Sequence, residues 1–357
     1  MGKGTCLEIK LGKLTDNSRR VAEVCGRHGI EVLGVTKGFS AIPEIVSAMV
    51  NGGVTKLADS RLENITALRR CGFEENMTLL RIPMLSRAAS VVQYADCSLN
   101  SELSVLQALS DAALTAGKIR SVILMIDVGD LREGIMPDDA ADFMRKAMLL
   151  KGVRVSGVGT NMGCYGGVLP TETNLSFLLE IAHSLEEVAG YRFDEVSGGG
   201  TSSLELVQLG EMPSGINQLR IGEGILLGTD TTHNRAIPWL AQDAFLLKSE
   251  IVEIKSKPSL PSGEIGRDAF GGIPHFDDRG IRRRAIVALG RQDVTVEGIT
   301  PVDARISLLG VSSDHMILDI EDAAEPLRVG DQVAFRLNYS GLLDLCTSKY
   351  VRKVYLP

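Results

Sequence analysis

The chain has 357 residues, of which 44% are hydrophobic and 23% charged, with a formal net charge of −7. That is the usage of a globular protein with room for one large core or two moderate ones, and it excludes a disordered or fibrous chain. The acidic balance argues against nucleic acid or an anionic membrane surface as the main partner.

The first residues contain no apolar targeting core, and no later apolar run is long enough to span a bilayer, so a soluble, cytoplasmic protein is expected. Cys6–Lys10 reads as a strand and Leu14–His28 as a helix. From Glu31 to Thr229, short apolar runs then alternate with helical patterns. The strand candidates are Val32–Thr36, Lys56–Asp59, Thr78–Ile82, Tyr94–Leu99, Ser121–Val128, Val153–Gly159, Asp194–Ser197 and Gln218–Ile221. Each is short, apolar or β-branched, and bounded by turn formers, as buried parallel strands are. Between them lie amphipathic stretches such as Ser101–Gly117, Asp138–Leu150 and Asn174–Ala189. Eight strand–helix units in about 200 residues is the count that closes a (β/α)8 barrel. A doubly wound open sheet is the rival, but no GxGxxG follows the first strand.

After Thr232 helical periodicity nearly disappears. Phe245–Ile254, Arg284–Leu289, Arg305–Leu309, Met316–Ile320, Gln332–Asn338 and Val351–Leu356 read as strands separated by turns. The expected organisation is a barrel over residues 11–232 and a C-terminal antiparallel β domain over residues 233–357, which the strand at 6–10 can join.

In such barrels chemistry sits at the C-terminal ends of the strands, and an anion site often forms after strands seven and eight. Strand one ends Gly34-Val35-Thr36-Lys37-Gly38, placing an amine where desolvation would suit it to a Schiff base; a lysine reaching out of the rim is the plainer alternative. Strand seven ends Ser197-Gly198-Gly199-Gly200-Thr201-Ser202-Ser203 before a helix, an arrangement that admits a phosphate as well as a simple capped loop. Strand eight carries Arg220 within an apolar run, which requires a partner, whether structural or a ligand. Together these three features describe a pyridoxal phosphate cradle. The six cysteines form no CxxC, and the five histidines form no HxH or HxxxH pair, so neither a disulfide framework nor a metal site is expected.

Lys37, Arg220 and Gly222 fall where alanine racemase and its relatives, the fold-type III pyridoxal phosphate enzymes, hold their cofactor, and Asp127-Val128-Gly129-Asp130-Leu131-Arg132-Glu133-Gly134 resembles their DxGxxRxG segment. Leu80–Leu85, Tyr94–Asp96, Asn100–Leu103, Lys257–Pro261, Gly263–Gly266, Asp268–Gly271 and Ser312–His315 extend the similarity over nearly the whole chain, toward the members that racemise ornithine. The resemblance implies that Lys37 holds pyridoxal phosphate covalently and serves as one of two bases. It implies further that Arg220 faces the ring nitrogen, that Ser197, Gly199, Thr201 and Gly222 surround the phosphate with the backbone N–H of Glu223, and that Arg132 lies near the substrate carboxylate. Asn161 takes the place of a cofactor-stacking histidine. The family's second base is a tyrosine from the partner subunit's β domain. The matching region here, Gly263–Gly271, has none, and Asp268 is the ionisable residue nearest that place. Asp314 would receive the side-chain ammonium of ornithine, and Tyr339 would contact the phosphate. A homodimer with shared sites is implied as well. A lysine, alanine or broad-specificity racemase remains open, as does a non-catalytic pyridoxal phosphate carrier, although carriers lack the added β domain.

Overall fold

The computed structural model describes residues 4–357, which divide into two compact units. Leu11–Gln242 form the first. Its eight strands are Glu31–Val35, Lys56–Asp59, Asn76–Leu79, Cys97–Asn100, Arg120–Met125, Val153–Gly159, Glu195–Ser197 and Gln218–Ile221, and they close in chain order into a parallel barrel. Register fixes which side chains face inward. Leu33 stands opposite both Arg220 and Lys56, and Cys97 opposite Ser121, so alternate residues of each strand share the interior. Leu80 packs against two clusters, Leu33–Val35–Ala58 and Cys97–Leu99–Ile123–Met125, and fills the barrel as a solid core. At the N-terminal ends of the strands the interior turns polar, where Lys56 meets Glu31 at 2.7 Å.

The outer helices follow from local signals. Glu172–Ala189 begins at a Thr171/Asn174 capping box, ends at Gly190 in the left-handed region, and buries Leu175, Leu178, Leu179, Ala182 and Leu185 at helical spacing. The fourth strand is Cys97–Asn100 rather than Tyr94–Leu99, because Tyr94 closes the helix Ala88–Tyr94. Asp96, in the turn, then accepts from Arg69 (2.5 Å) and from the backbone N–H of Met77 (2.9 Å). The unit extends to Gln242, ten residues past the expected boundary. Arg235–Ala236 pairs with Thr229–Asp230, Ile237 and Leu240 are buried, and the Ala241 N–H donates to Asn17 Oδ1 at 2.8 Å.

The second unit joins residues 4–10 to Asp243–Pro357. Its sheet runs Ile299–Pro301, Gln332–Leu337, Phe245–Pro258, Ile281–Val287, Met316–Asp319, Ser307–Val311. The strand Cys6–Lys10 belongs here, antiparallel to Phe245–Pro258 but parallel to Arg352–Leu356, so the sheet is not wholly antiparallel. A helix, Tyr339–Thr347, interrupts the β texture where no helical periodicity is evident. The run Arg282-Arg283-Arg284 is tied down along its length: Arg282 pairs with Asp319 and Asp322, Arg283 donates to the Leu327 carbonyl and Arg284 to the Ser259 carbonyl.

Candidate active site

The site is assembled at the C-terminal ends of the barrel strands. Lys37 follows strand one, in a turn where Ser40 and Ala41 both hold positive φ (53° and 52°). Two consecutive non-glycine residues in that region mark a strained segment held by its surroundings. Thr36, directly before Lys37, donates through Oγ1 to Asp59 Oδ2 at 2.5 Å. Asp59 ends strand two, is 1% exposed, and also accepts from the Arg61 N–H (2.7 Å) and from Asn64 Nδ2 (3.1 Å to each oxygen). This carboxylate anchors the backbone that carries the lysine. Burial holds the Lys37 amine below the ordinary lysine value. The positive charges of Arg132 and Arg220 push the same way, while Cys164 and Asp59 oppose them.

Arg220 lies inside the barrel at 7% exposure. It donates from Nη1 to Ser197 Oγ and from Nη2 to the Thr160 carbonyl, each at 2.5 Å, which resolves the cost of burying a guanidinium. Burial pulls its pKa down to about 10, so it stays cationic at neutral pH. Ser197 and Gly198 are buried, and Gly199 sits at φ +106°, where a Cβ would come within 2.7 Å of Ser203 Oγ. Thr201 Oγ1 accepts from the Gly224 N–H at 3.2 Å, tying the loop after strand seven to the one after strand eight. Gly222 is buried between strand eight and the short helix Glu223–Leu227. The Glu223 carboxylate is occupied by the Thr229 and Thr231 hydroxyls, at 2.7 and 2.6 Å.

The loop after strand five is closed by Asp127, whose Oδ1 accepts from the Gly129 and Leu131 N–H groups at 2.8 and 3.2 Å. It presents Arg132, which is held by Glu133 Oε2 (2.6 Å from Nε) and by Cys164 Sγ (2.9 Å from Nη1). Asn161 follows strand six, and its buried Nδ2 has no hydrogen-bond partner among the described residues.

The barrel unit therefore brings together Lys37, Arg132, Asn161, Ser197, Gly199, Thr201, Arg220, Gly222 and Glu223. Asp59, Glu133 and Cys164 are not among the residues the sequence singles out; a carboxylate directly after the apolar pair Leu57-Ala58, at the end of its strand, is the one available signal. His233, too, carries no signal in the sequence. It links Asp230 (2.8 Å) to Glu205 (2.7 Å) and so braces the segments behind the two anion loops.

Asp268, Asp314 and Tyr339 lie in the β unit. Asp268 closes a turn, its Oδ1 accepting from the Phe270 and Gly272 N–H groups at 2.9 and 2.7 Å, and its Oδ2 has no hydrogen bond among the described residues. Asp314 is exposed and accepts from the Ser313 and Ser312 hydroxyls at 3.1 and 3.2 Å; the Ser313 bond is the main cause that holds its carboxyl below the usual range. Tyr339 opens the helix capped by Asn338.

A closed parallel barrel with an amine, two guanidinium groups and a glycine loop at one end, plus a separate mixed β unit, defines the class of protein. The alanine racemase N-terminal domain family matches residues 9–230, and the chain belongs to that family. It is 42% identical over 351 residues to the lysine racemase of Thermotoga maritima, covering 98% of each chain. It is equally identical, over the same length, to the ornithine racemase of Acetoanaerobium sticklandii, covering 98% of this chain and 99% of that one. The structure of alanine racemase from Bartonella henselae with covalently bound pyridoxal phosphate matches with a TM-score of 0.76 at 15% identity, covering 99% of each chain. The protein is an amino-acid racemase.

Proposed function

We propose that this racemase interconverts the enantiomers of a diamino acid, ornithine first, with pyridoxal phosphate as cofactor and Lys37 and Asp268 as its two proton carriers. One observation carries the reading: a desolvated amine at the barrel mouth, flanked by two guanidinium groups and by a glycine loop whose tightest position a Cβ would fill.

The residues fit the cofactor. Lys37 offers the amine, Gly199, Thr201, Gly222 and the Glu223 N–H an anion cradle, Arg220 a cation for the ring nitrogen, and Asn161 an amide donor lacking a partner. Bound there, pyridoxal phosphate supplies the electron sink that acidifies the proton on the substrate α-carbon. Burial holds the Lys37 amine below the ordinary lysine value, which favours the neutral form in which Nζ accepts that proton. Asp268 Oδ2 is the atom left to hold a proton for the other face, because Oδ1 is committed to its turn. Arg132 binds the substrate carboxylate. Asp314, kept ionised by two hydroxyls, receives the side-chain ammonium, a group alanine lacks. Tyr339 is assigned to the phosphate. The same reading carries a homodimer. The six free cysteines suit a reducing compartment, the cytoplasm. Among the described residues no helix is long and apolar enough to cross a membrane.

Lysine is the second substrate of the proposal, since the two named relatives are equally similar. The test follows α-proton exchange and chirality in D2O with L-ornithine, L-lysine and L-alanine in parallel. Exchange with inversion of ornithine, or of ornithine and lysine, supports the proposal, whereas inversion of alanine alone overturns the diamino assignment. Lys37→Ala must abolish both exchange and covalent cofactor capture under borohydride; retention of either removes Lys37 from its role.

A further inference from the structure

The guanidinium of Arg132 is gripped from two directions. Nε meets Glu133 Oε2 at 2.6 Å, and Nη1 donates to Cys164 Sγ at 2.9 Å. Two contacts on different nitrogens fix the orientation of a planar group, where one would leave it free to swing. Glu133 comes from the same loop, but Cys164 comes from the loop after strand six, so the second contact depends on how the two loops are joined.

That junction is built independently of the thiol. Asp130, 1% exposed, accepts from the Tyr165 N–H at 3.1 Å and from the Val168 N–H at 3.2 Å. A Cβ on Gly166 would sit 2.7 Å from the Asp130 carbonyl oxygen, so the backbones approach as closely as glycine allows. The cysteine is therefore carried by a segment laced to the arginine's own loop directly after it, at Tyr165, Gly166 and Val168. Charge points the same way. Arg132 shares its surroundings with Arg220, and a second guanidinium nearby would drive an untethered one outward. The Glu133 carboxylate and the Cys164 sulfur are what oppose that drift.

We propose that Cys164 and Glu133 form a clamp that aims Arg132 at the substrate carboxylate, Cys164 being a positioning residue that reaches the reaction only through the guanidinium. The inference rests on the racemase reading for what Arg132 binds, but the clamp itself can be tested without turnover. Cys71 and Cys164 are the exposed cysteines. In a Cys71→Ser background, alkylation of the full-length protein by iodoacetamide at pH 7 therefore reports on Cys164. A guanidinium in direct contact with a sulfur activates it toward electrophiles, so Arg132→Ala should slow alkylation about fivefold. A rate unchanged from the parent protein overturns the clamp.

The kinetic arm separates aiming from proton transfer. Cys164→Ala should raise KM for the racemised amino acid about tenfold with kcat little changed, the pattern of lost ground-state binding. Cys164→Ser, whose hydroxyl still accepts from Arg132, should recover most of that loss. If Ala and Ser variants alike lose α-proton exchange from one enantiomer only, the thiol moves a proton and the positioning role is wrong. A parent protein that exchanges no amino acid's α-proton removes the racemase reading instead, while the alkylation contrast still decides the clamp.

Discussion

Behind Lys37 stands a carboxylate closed off from solvent. Asp59 is buried and burial pushes its carboxyl up, yet Thr36, the Arg61 N–H and Asn64 all donate to it. Asp59→Asn would replace one acceptor by a donor in that cluster, at a cost of about 1–3 kcal/mol in a denaturant titration. It would also remove a negative charge that raises the Lys37 pKa. The sign is then fixed: with the anion gone the amine falls further, and its neutral fraction grows at a given pH. The acidic limb of Lys37 acylation, followed by peptide mapping of the cofactor-free chain, should move to lower pH. An unmoved limb would mean that Asp59 acts on the lysine only by holding the backbone that carries it. Asp268 poses the opposite problem, an exposed carboxylate with half its capacity spent on a turn. Asp268→Asn keeps an oxygen for those N–H groups but cannot carry the proton. Exchange should persist from the enantiomer whose α-proton Lys37 takes and vanish from the other; full exchange from both would exclude Asp268 as a base.

At the scale of elements, the loop after strand seven sets how close an anion can come. Gly199 at φ +106° faces Ser203 Oγ, itself committed to the Gly198 carbonyl at 2.7 Å. Gly199→Ala meets both a forbidden φ and an occupied position, so about 1–3 kcal/mol of strain must appear either as lost stability or as a displaced loop. Calorimetric titration with pyridoxal phosphate should show affinity falling at least about tenfold; unchanged affinity would place the phosphate elsewhere. Lys37, Arg220 and this loop were legible in the sequence because parallel strands in a barrel deliver chemistry at one end, and a lysine, an arginine and three glycines are conspicuous there. The partners that hold them were not. The contacts of Thr36 with Asp59 and of Arg132 with Cys164 join positions 23 and 32 residues apart, and no periodicity records such a pairing. The helix Tyr339–Thr347 escaped for a related reason. Its buried face is only Gly341, Leu342, Leu345 and Cys346, too short a stretch to establish a helical period beside neighbouring strands.

The whole chain begins in one unit, leaves it to build the barrel, and returns. Cys6–Lys10 fills a gap between Phe245–Pro258 and Arg352–Leu356, with Leu7 and Ile9 fully buried. The pairing Ile9↔Tyr355 joins nearly the two ends of the sequence, so the second unit's sheet cannot be completed until the last strand is made. Such long loop closure is slow, and the pairing is stable only if the buried side chains on the short strand compensate it. Ile9→Ala should therefore cost about 2–5 kcal/mol, concentrated in one place. Hydrogen exchange read by mass spectrometry tests this directly. Amide protection should fall along Phe245–Pro258 and Arg352–Leu356, while the barrel strands Glu31–Val35 and Arg120–Met125 keep theirs, because their hydrogen bonds close among themselves. An equal loss in both sets would mean that the effect of Ile9 is not confined to the sheet that the strand Cys6–Lys10 completes.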